Sequence, residues 1–547
     1  MTRSSAVLAS AWLCAWLCTG ALALGLLGGC GDDDATGPPA ASRPDANAER
    51  PDGSPETDGS AETDGAAVGC LTRAADDSRA IALELPREPR PGTPFVLAIT
   101  VAGSWSGDAS VCLDGREAAV VHVYRGRGSA TLAAPRAGPI ALAVRAGASS
   151  VARMLQASER PLRRLTGVLA GDDLRWGADA DVQLSADARV LAGERLVVAA
   201  GTRVLLGANA ALEIEGELDV LGEAEDPVSF TRAGSEPWGG LRVLPGGVAR
   251  LAHAWLGAGG GDPSRVHGHS DSQPVVWADT ATVVIDGGGI VDNPGKALGS
   301  SRSRLTVRAA LISRCDTGGE LDSSALTMEG AHVLELPDAD GVFDDDDNDG
   351  IYLVGVLTDA AGELVPSIIR DSVFAAGEDD AIDHNDAEVR LERVWIEGFR
   401  HEGLAASAGH SATIVDSVVR DCGQGIEAGY GSPRVEVDHC LLTGNDVGLR
   451  FGDSYDRATS GTLTVRNTIS HGNVSANARN HVNALDGPLA GALIITCSSV
   501  DDPGYDGSDG NLAGAPDLDL SAGCATGPHT APPECDGTVP GPRKCYR

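Results

Sequence analysis

The 547-residue chain carries 78 acidic against 42 basic residues, a net charge of −36, with 71 glycines and only 4% aromatic residues. A surface this acidic repels phosphates and excludes a nucleic-acid partner. The Gly-rich, aromatic-poor composition suits a turn-rich all-β protein, and the length admits several domains or one long solenoid.

The N-terminus reads as an export signal. Arg3 precedes an apolar run that ends in Leu27-Gly28-Gly29-Cys30. Positive charge, apolar core and small residues in that order are the pattern of a secretory signal. The ending resembles a bacterial lipobox. That resemblance implies that Cys30 is lipidated, with the membrane engaged only through the lipid, at the bacterial cell envelope and favouring the outer membrane or cell surface. No later stretch reaches the ~20 apolar residues of a membrane span. Residues 31–69, opening on Asp32-Asp33-Asp34, hold too few apolar side chains to offset the entropy of ordering and read as an acidic linker.

Residues 70–162 contain short strand-like runs between Gly/Pro turns at intervals close to 8–12 residues, which predicts a small Ig-like β-sandwich serving as a spacer. From 163 to 519 the text has no helical period. Short β runs recur with corners at Gly201-Thr202, Gly207, Asn209, Gly216 and Gly222. The clearest repeat lies between Ile369 and Gly452. The dipeptides Ala381-Ile382, Gly403-Leu404, Gly425-Ile426 and Gly448-Leu449 follow one another at 22, 22 and 23 residues, and Gly350-Ile351 precedes them by 31. The extra length of that interval is assigned to a hairpin-like insert, TDAAGELVP. A period of 20–25 residues marks a solenoid. Short Val/Ile strands broken by Gly, Asp and Asn favour a parallel β-helix over leucine-rich repeats. The corner text resembles the right-handed, pectin-lyase-like β-helix superfamily, which implies a single-stranded right-handed parallel β-helix. Residues 520–547 form a Cys- and Pro-rich tail expected to cap the solenoid or to hang free.

Stacked coils superpose equivalent residues. One column reads Asp349, Asp380, Glu402, Gln424 and Val447. The neighbouring column reads Asn348, Asp379, His401, Gly423 and Asp446. With adjacent strands about 4.8 Å apart, carboxylates this close either raise a pKa or share a cation.

The patch also partly resembles the motif set of polygalacturonases. Asn348-Asp349-Gly350, Glu378-Asp379-Asp380, His401-Glu402-Gly403 and Arg450-Phe451-Gly452 follow the order of that family's Asn-Thr-Asp, Asp-Asp, Gly-His-Gly and Arg-Ile-Lys. The resemblance implies a glycoside hydrolase or lyase with Asp349, Asp379, Asp380 and His401 as catalytic groups and Asn348, Glu402 and Arg450 on the substrate. The chain departs from the family in lacking the lysine, in placing Glu402 after His401, and in carrying Arg450 two coils beyond His401. The leading expectation is therefore a glycan- or protein-binding envelope protein, a monomer, with an extracellular polysaccharide or envelope protein as partner. The alternative is a polysaccharide-degrading enzyme.

Asp345-x-Asp347-x-Asp349-Gly350 resembles the start of a calcium loop. Position twelve is Val356 and not Glu, so an EF-hand is excluded, which leaves a simpler Ca2+ site or a hydrated acidic loop. Asp506, Asp509 and Asn511 form a weaker candidate. The segment 262–273, with His267 and His269, reads as a solvated loop with incidental histidines. Cysteine proximity suggests Cys70–Cys112 and Cys535–Cys545 disulfides, and the absence of any CxxC pair argues against a cysteine zinc site.

Overall fold

The computed structural model describes residues 79–336, 348–452, 459–481, 489–505, 507–514, 516–526, 535 and 537–546. Cys30, the linker, Cys70, Asp345, Asp347 and Asp506 lie outside them.

Seven antiparallel strands come first: β1 (Ile81–Glu84), β2 (Pro94–Val101), β3 (Gly107–Leu113), β4 (Arg116–Val123), β5 (Arg127–Ala133), β6 (Gly138–Ala146) and β7 (Ser149–Ala157). They form two sheets, ordered β1-β2-β5 and β4-β3-β6-β7. Alternating residues of both sheets, among them Leu97, Ile99, Val111, Leu142 and Val144, share one apolar core.

From Leu162 the chain becomes a parallel β-helix, with thirty-six strands among the described residues. Each coil contributes one strand to each of three columns, here called sheets I, II and III. A representative coil runs from Ile382–Asn385 in sheet II through Val389–Glu392 in sheet III to Trp395–Phe399 in sheet I. The next begins at Glu402–Ala408, back in sheet II. The repeat dipeptides stack in register along sheet II: Ile351 pairs with Ile382, Leu404 with Ile426, and Ile426 with Leu449. Their glycines answer to close approach between coils. A methyl group on Gly350 would lie 2.2 Å from the Ala381 carbonyl oxygen, and one on Gly425 would lie 2.5 Å from that of Gly448. The insert after Ile351 is a two-stranded antiparallel hairpin, Leu357–Thr358 against Leu364–Val365.

The corner between sheets III and I is made by one residue per coil in the left-handed region, including Asp371 (φ 52°), Arg393 (54°), Asp416 (49°), His439 (54°) and Asn467 (48°). That conformation is unfavourable for side chains other than Gly. A buried hydroxyl follows the corner in several coils and offsets the cost by accepting a backbone N–H from the preceding coil. Ser372 serves Ala331, Ser417 serves Val394, and Thr468 serves Cys440. Corner positions occupied by Asp, Arg and His give this turn no glycine signature.

The sandwich and the tail both lie against the outer side of sheet I. An apolar stripe there runs through Trp255, Val291, Leu311, Leu334, Val373, Trp395, Val418, Leu441 and Ile469. Val96 and Ala98 of β2 cover one end, and Leu518, Ala525 and Tyr546 of the tail cover the other. Between them the Arg125 guanidinium sits 3.5 Å from the centroid of Trp395 and its Nη2 donates to the Tyr546 carbonyl. Tyr546 in turn donates its hydroxyl to Val394 and Asp416 carbonyls. The described tail is therefore strapped along the side of the helix, and the sandwich packs on it as more than a spacer. Among the described residues the disulfides are Cys497–Cys535 and Cys524–Cys545. This corrects the expected Cys535–Cys545 pairing, because Cys545 follows the strap back to Cys524. Cys112 is also disulfide-bonded. Cys315, Cys422 and Cys440 are free thiols buried in the helix. No helix among the described residues is long and apolar enough to cross a membrane.

Candidate functional site

Sheet II and the turn leading into it gather the chain's charged chemistry. Strand alternation turns Leu353 and His384 inward, and His384 is fully buried. The alternate residues form an outward column, Glu320–Tyr352–Asp383–Ala405–Glu427–Arg450–Arg479, in continuous register. Beside it runs the turn column. The Gly350 N–H donates to the Asp380 carbonyl and the Ala381 N–H to that of Glu402, which places Asp349, Asp380 and Glu402 one above another.

The expected residues come together there. Asp349, Asp380 and Glu402 are 1%, 7% and 9% exposed. One carboxylate oxygen from each of Asp349, Asp380 and Asp383 lies within 4.8 Å of the others, and Asp379, Asp380 and His401 form a second such group sharing Asp380. Asp380 Oδ1 accepts the Glu402 backbone N–H at 2.6 Å. His401 Nδ1 stands 2.5 Å from Asp379 Oδ1, with the ring half exposed. Asn348 is buried and donates to Glu378 at 3.2 Å, so it braces the turn. Arg450 pairs with Glu427 and stands 3.7 Å from Glu402, which also receives the Gln424 side-chain amide. The two-coil offset of Arg450 is thus bridged through Glu427.

Burial pushes the Asp380 carboxyl well above the usual carboxylate range, and the negative charges of Glu402, Asp379 and Asp349 add to it. Glu402 goes the other way. Burial would raise it, but the hydrogen bond to Asp380, the Arg450 guanidinium and His401 together hold it below its ordinary value. The two stacked carboxyls are thereby pushed in opposite directions.

Ligand atoms within 4.8 Å of one another are compatible with a single hard cation, since two oxygens at 2.3–2.6 Å from Ca2+ can be at most about 5 Å apart. Asp349 is the only described member of the expected Asp345/Asp347/Asp349 set. In the second candidate, Asn511 is buried and spends its side chain on Ser498 N–H and the Ile495 carbonyl, closing the end of the helix.

Several residues of this face are not signalled in the sequence. Asn385 donates to the hydroxyls of both Tyr352 (3.3 Å) and Tyr430 (3.0 Å). The segment 262–273 leaves Pro263, Ser264, Val266, Gly268, His269 and Asp271 exposed, as a solvated loop does, and is tied to sheet II from beneath. Lys296, completely buried, donates 2.5 Å bonds to the His267 carbonyl and to Glu320, and the His269 backbone N–H donates to Glu320 at 3.0 Å. The His269 ring then meets Tyr352 edge-on at 4.2 Å. Of the other aromatics in the regular coils, Phe374, Trp395, Phe399 and Phe451 are buried.

No family model matches the sequence, and no curated protein matches it. Solved structures similar to this chain include the catalytic domain of a GH87 alpha-1,3-glucanase in complex with tetrasaccharides, at 10% identity and a TM-score of 0.26, covering 80% of this chain and 89% of that one. The alginate lyase from Paenibacillus sp. str. FPU-7 aligns at 13% identity and a TM-score of 0.23, covering 55% of this chain and 92% of that one. At these identities and scores neither lends this chain an activity. The parallel β-helix stands on the strand register above.

Proposed function

We propose that this β-helix acts on glycans and hydrolyses a glycosidic bond, with Asp380 as the proton donor. What carries the reading is the stack of Asp349, Asp380 and Glu402 on successive coils, all buried, where burial and like charges push Asp380 up while the Arg450 guanidinium and His401 help to hold Glu402 down. Neighbouring titratable groups driven apart by their surroundings are the mark of an acid assigned to proton transfer. Asp380 gives its proton to the glycosidic oxygen as the C1–O bond breaks. The ionised carboxylates around it stabilise the positive charge growing at the anomeric carbon. Water supplies hydroxide to that carbon, and its remaining proton returns to a carboxylate. The test is release of reducing ends from a panel of neutral and acidic polysaccharides by the wild type and by Asp380→Asn. No release from any of them by the wild type overturns the reading.

Binding without turnover is the second reading, favoured by the two three-ligand groups that meet at Asp380. There a Ca2+ ion would be held by Asp349, Asp380 and Asp383 and would displace the proton. Calorimetry with calcium separates the two, and no heat at millimolar Ca2+ removes the cation. Anchoring through a lipidated Cys30 at the bacterial envelope belongs to either reading. Its test is incorporation of labelled fatty acid, expected in the wild type and absent in Cys30→Ser.

A further inference from the structure

We infer that a cavity between the sandwich and the β-helix binds a small apolar carboxylate, with Thr231 and Arg232 at its charged end. The site uses no residue of the acidic turn and does not depend on the glycan reading above.

The cavity has a volume of about 360 Å³. It lies where β2 and β5 of the sandwich meet the ends of three successive strands, Val228–Arg232, Val248–Gly257 and Thr282–Asn293. Pro94, Val96, Pro237 and Pro294 give it apolar walls, and Gly257 lies between them. Ala254 and Leu256 belong to the core of the helix, whereas Trp255 belongs to the outer stripe under the sandwich. Strand alternation therefore turns Gly257 outward with Trp255. A methyl group built on Gly257 would meet nothing nearer than the Val291 carbonyl oxygen, at 3.4 Å. A gap of this size in a packed interface forfeits contacts on both of its walls. A small molecule would restore them, and clefts of about 300–1,000 Å³ at domain interfaces are where such ligands sit.

The polar groups of the lining decide the class of ligand. Thr231 lines the cavity and is 6% exposed, and its hydroxyl has no hydrogen-bond partner among the described residues. A hydroxyl buried without a partner is costly, so the partner is expected on the ligand. Arg232 lines the cavity too. Its Nη1 donates to the Ser235 carbonyl at 2.6 Å, and no carboxylate among the described residues pairs with it. The other charged residue of the lining, Asp292, is taken up by the Arg314 guanidinium and the Thr131 hydroxyl. A hydroxyl and a guanidinium both donate, and one carboxylate accepts from both. Apolar walls with donors at one end favour an apolar acid over a sugar, whose hydroxyls would be left unpaired against proline and valine.

The experiment is isothermal titration of the full chain with two apolar acids of different shape, 2-naphthoate and decanoate. The neutral 2-naphthalenemethanol and the cationic 2-naphthylmethylammonium serve as counterparts. At least one acid is expected to bind, and naphthalenemethanol and naphthylmethylammonium are expected to bind more weakly than naphthoate. Thr231→Val keeps the shape of the side chain and removes only the unpaired hydroxyl. It should leave the melting temperature unchanged or higher and weaken the acid about tenfold, the effect of one lost charge-assisted hydrogen bond. Arg232→Gln should weaken it by a similar factor. Gly257→Val fills the cavity and should abolish binding. If Gly257→Val lowers the melting temperature, Thr231→Val decides alone. No heat from either acid overturns the inference. So does an alcohol or ammonium that binds as tightly as naphthoate, or acid binding that Thr231→Val leaves unchanged.

Discussion

Asp380 and Glu402 occupy the same position on successive coils, and the carboxyl of the first accepts the backbone N–H of the second at 2.6 Å. The Ala381 N–H on the Glu402 carbonyl holds the two backbones one above the other. The fold therefore sets the two carboxyls where each shifts the titration of the other.

Asp380→Asn is expected to lower hydrolysis by about 10²- to 10⁴-fold, the usual contribution of a general acid. It should also flatten the pH dependence of stability. A carboxyl raised in the folded state contributes stability that is present below its unfolded value and lost as pH rises through its folded value. Thermal melts from acidic to alkaline pH should show the wild type losing stability on the alkaline side and the Asn variant keeping it. An unchanged slope would mean Asp380 is ionised in the folded protein.

Glu402→Gln removes the negative charge that most raises Asp380. The alkaline limb of the pH–activity profile should then move to lower pH, while Asp380 itself stays in place. A profile that does not move would assign that limb to another group.

Lys296 is completely buried against Glu320, which is 4% exposed. Replacing Lys296 with Met leaves that carboxylate uncompensated and should cost about 3–5 kcal/mol. The double variant Lys296→Met/Glu320→Gln should recover a large part of the loss. Denaturant unfolding measures both. The same single substitution also removes the bond to the His267 carbonyl, so protease cleavage within residues 262–273 should speed up.

Non-reducing peptide maps should yield Cys497 linked to Cys535 and Cys524 linked to Cys545. A peptide joining Cys535 to Cys545 would show that the strap runs otherwise.

The repeat was legible because a physical necessity recurs in it. Gly350, Gly403, Gly425 and Gly448 each face a neighbouring coil too closely for a side chain, so the spacing of small residue and aliphatic partner records the coil length directly. The stacked carboxylates follow from that spacing. What lay beyond it depends on events with no local mark. The left-handed corner accepts Asp, Arg, His or Asn, so it leaves no single letter. The Tyr430 hydroxyl meets Asn385 only because one strand gains a residue relative to its neighbour. The ties that hold 262–273 join residues far apart in sequence: Lys296 reaches Glu320, 24 residues away, and Ser272 reaches Asp316, 44 residues away. The cysteine pairing follows a strap that sequence proximity does not describe.

That strap changes how the solenoid should come apart. Stacked repeats ordinarily fray coil by coil from an open end, each depending only on its neighbours. Here Arg125 of the sandwich holds the Tyr546 carbonyl across 421 positions of sequence, and one apolar stripe lies under both covers. Unfolding of the C-terminal coils has to release the tail, and releasing the tail uncovers Trp395 beside the sandwich. The two ends of the array are thus thermodynamically joined at its flank, and a chain built from repeats is expected to melt in one step, as a single cooperative body.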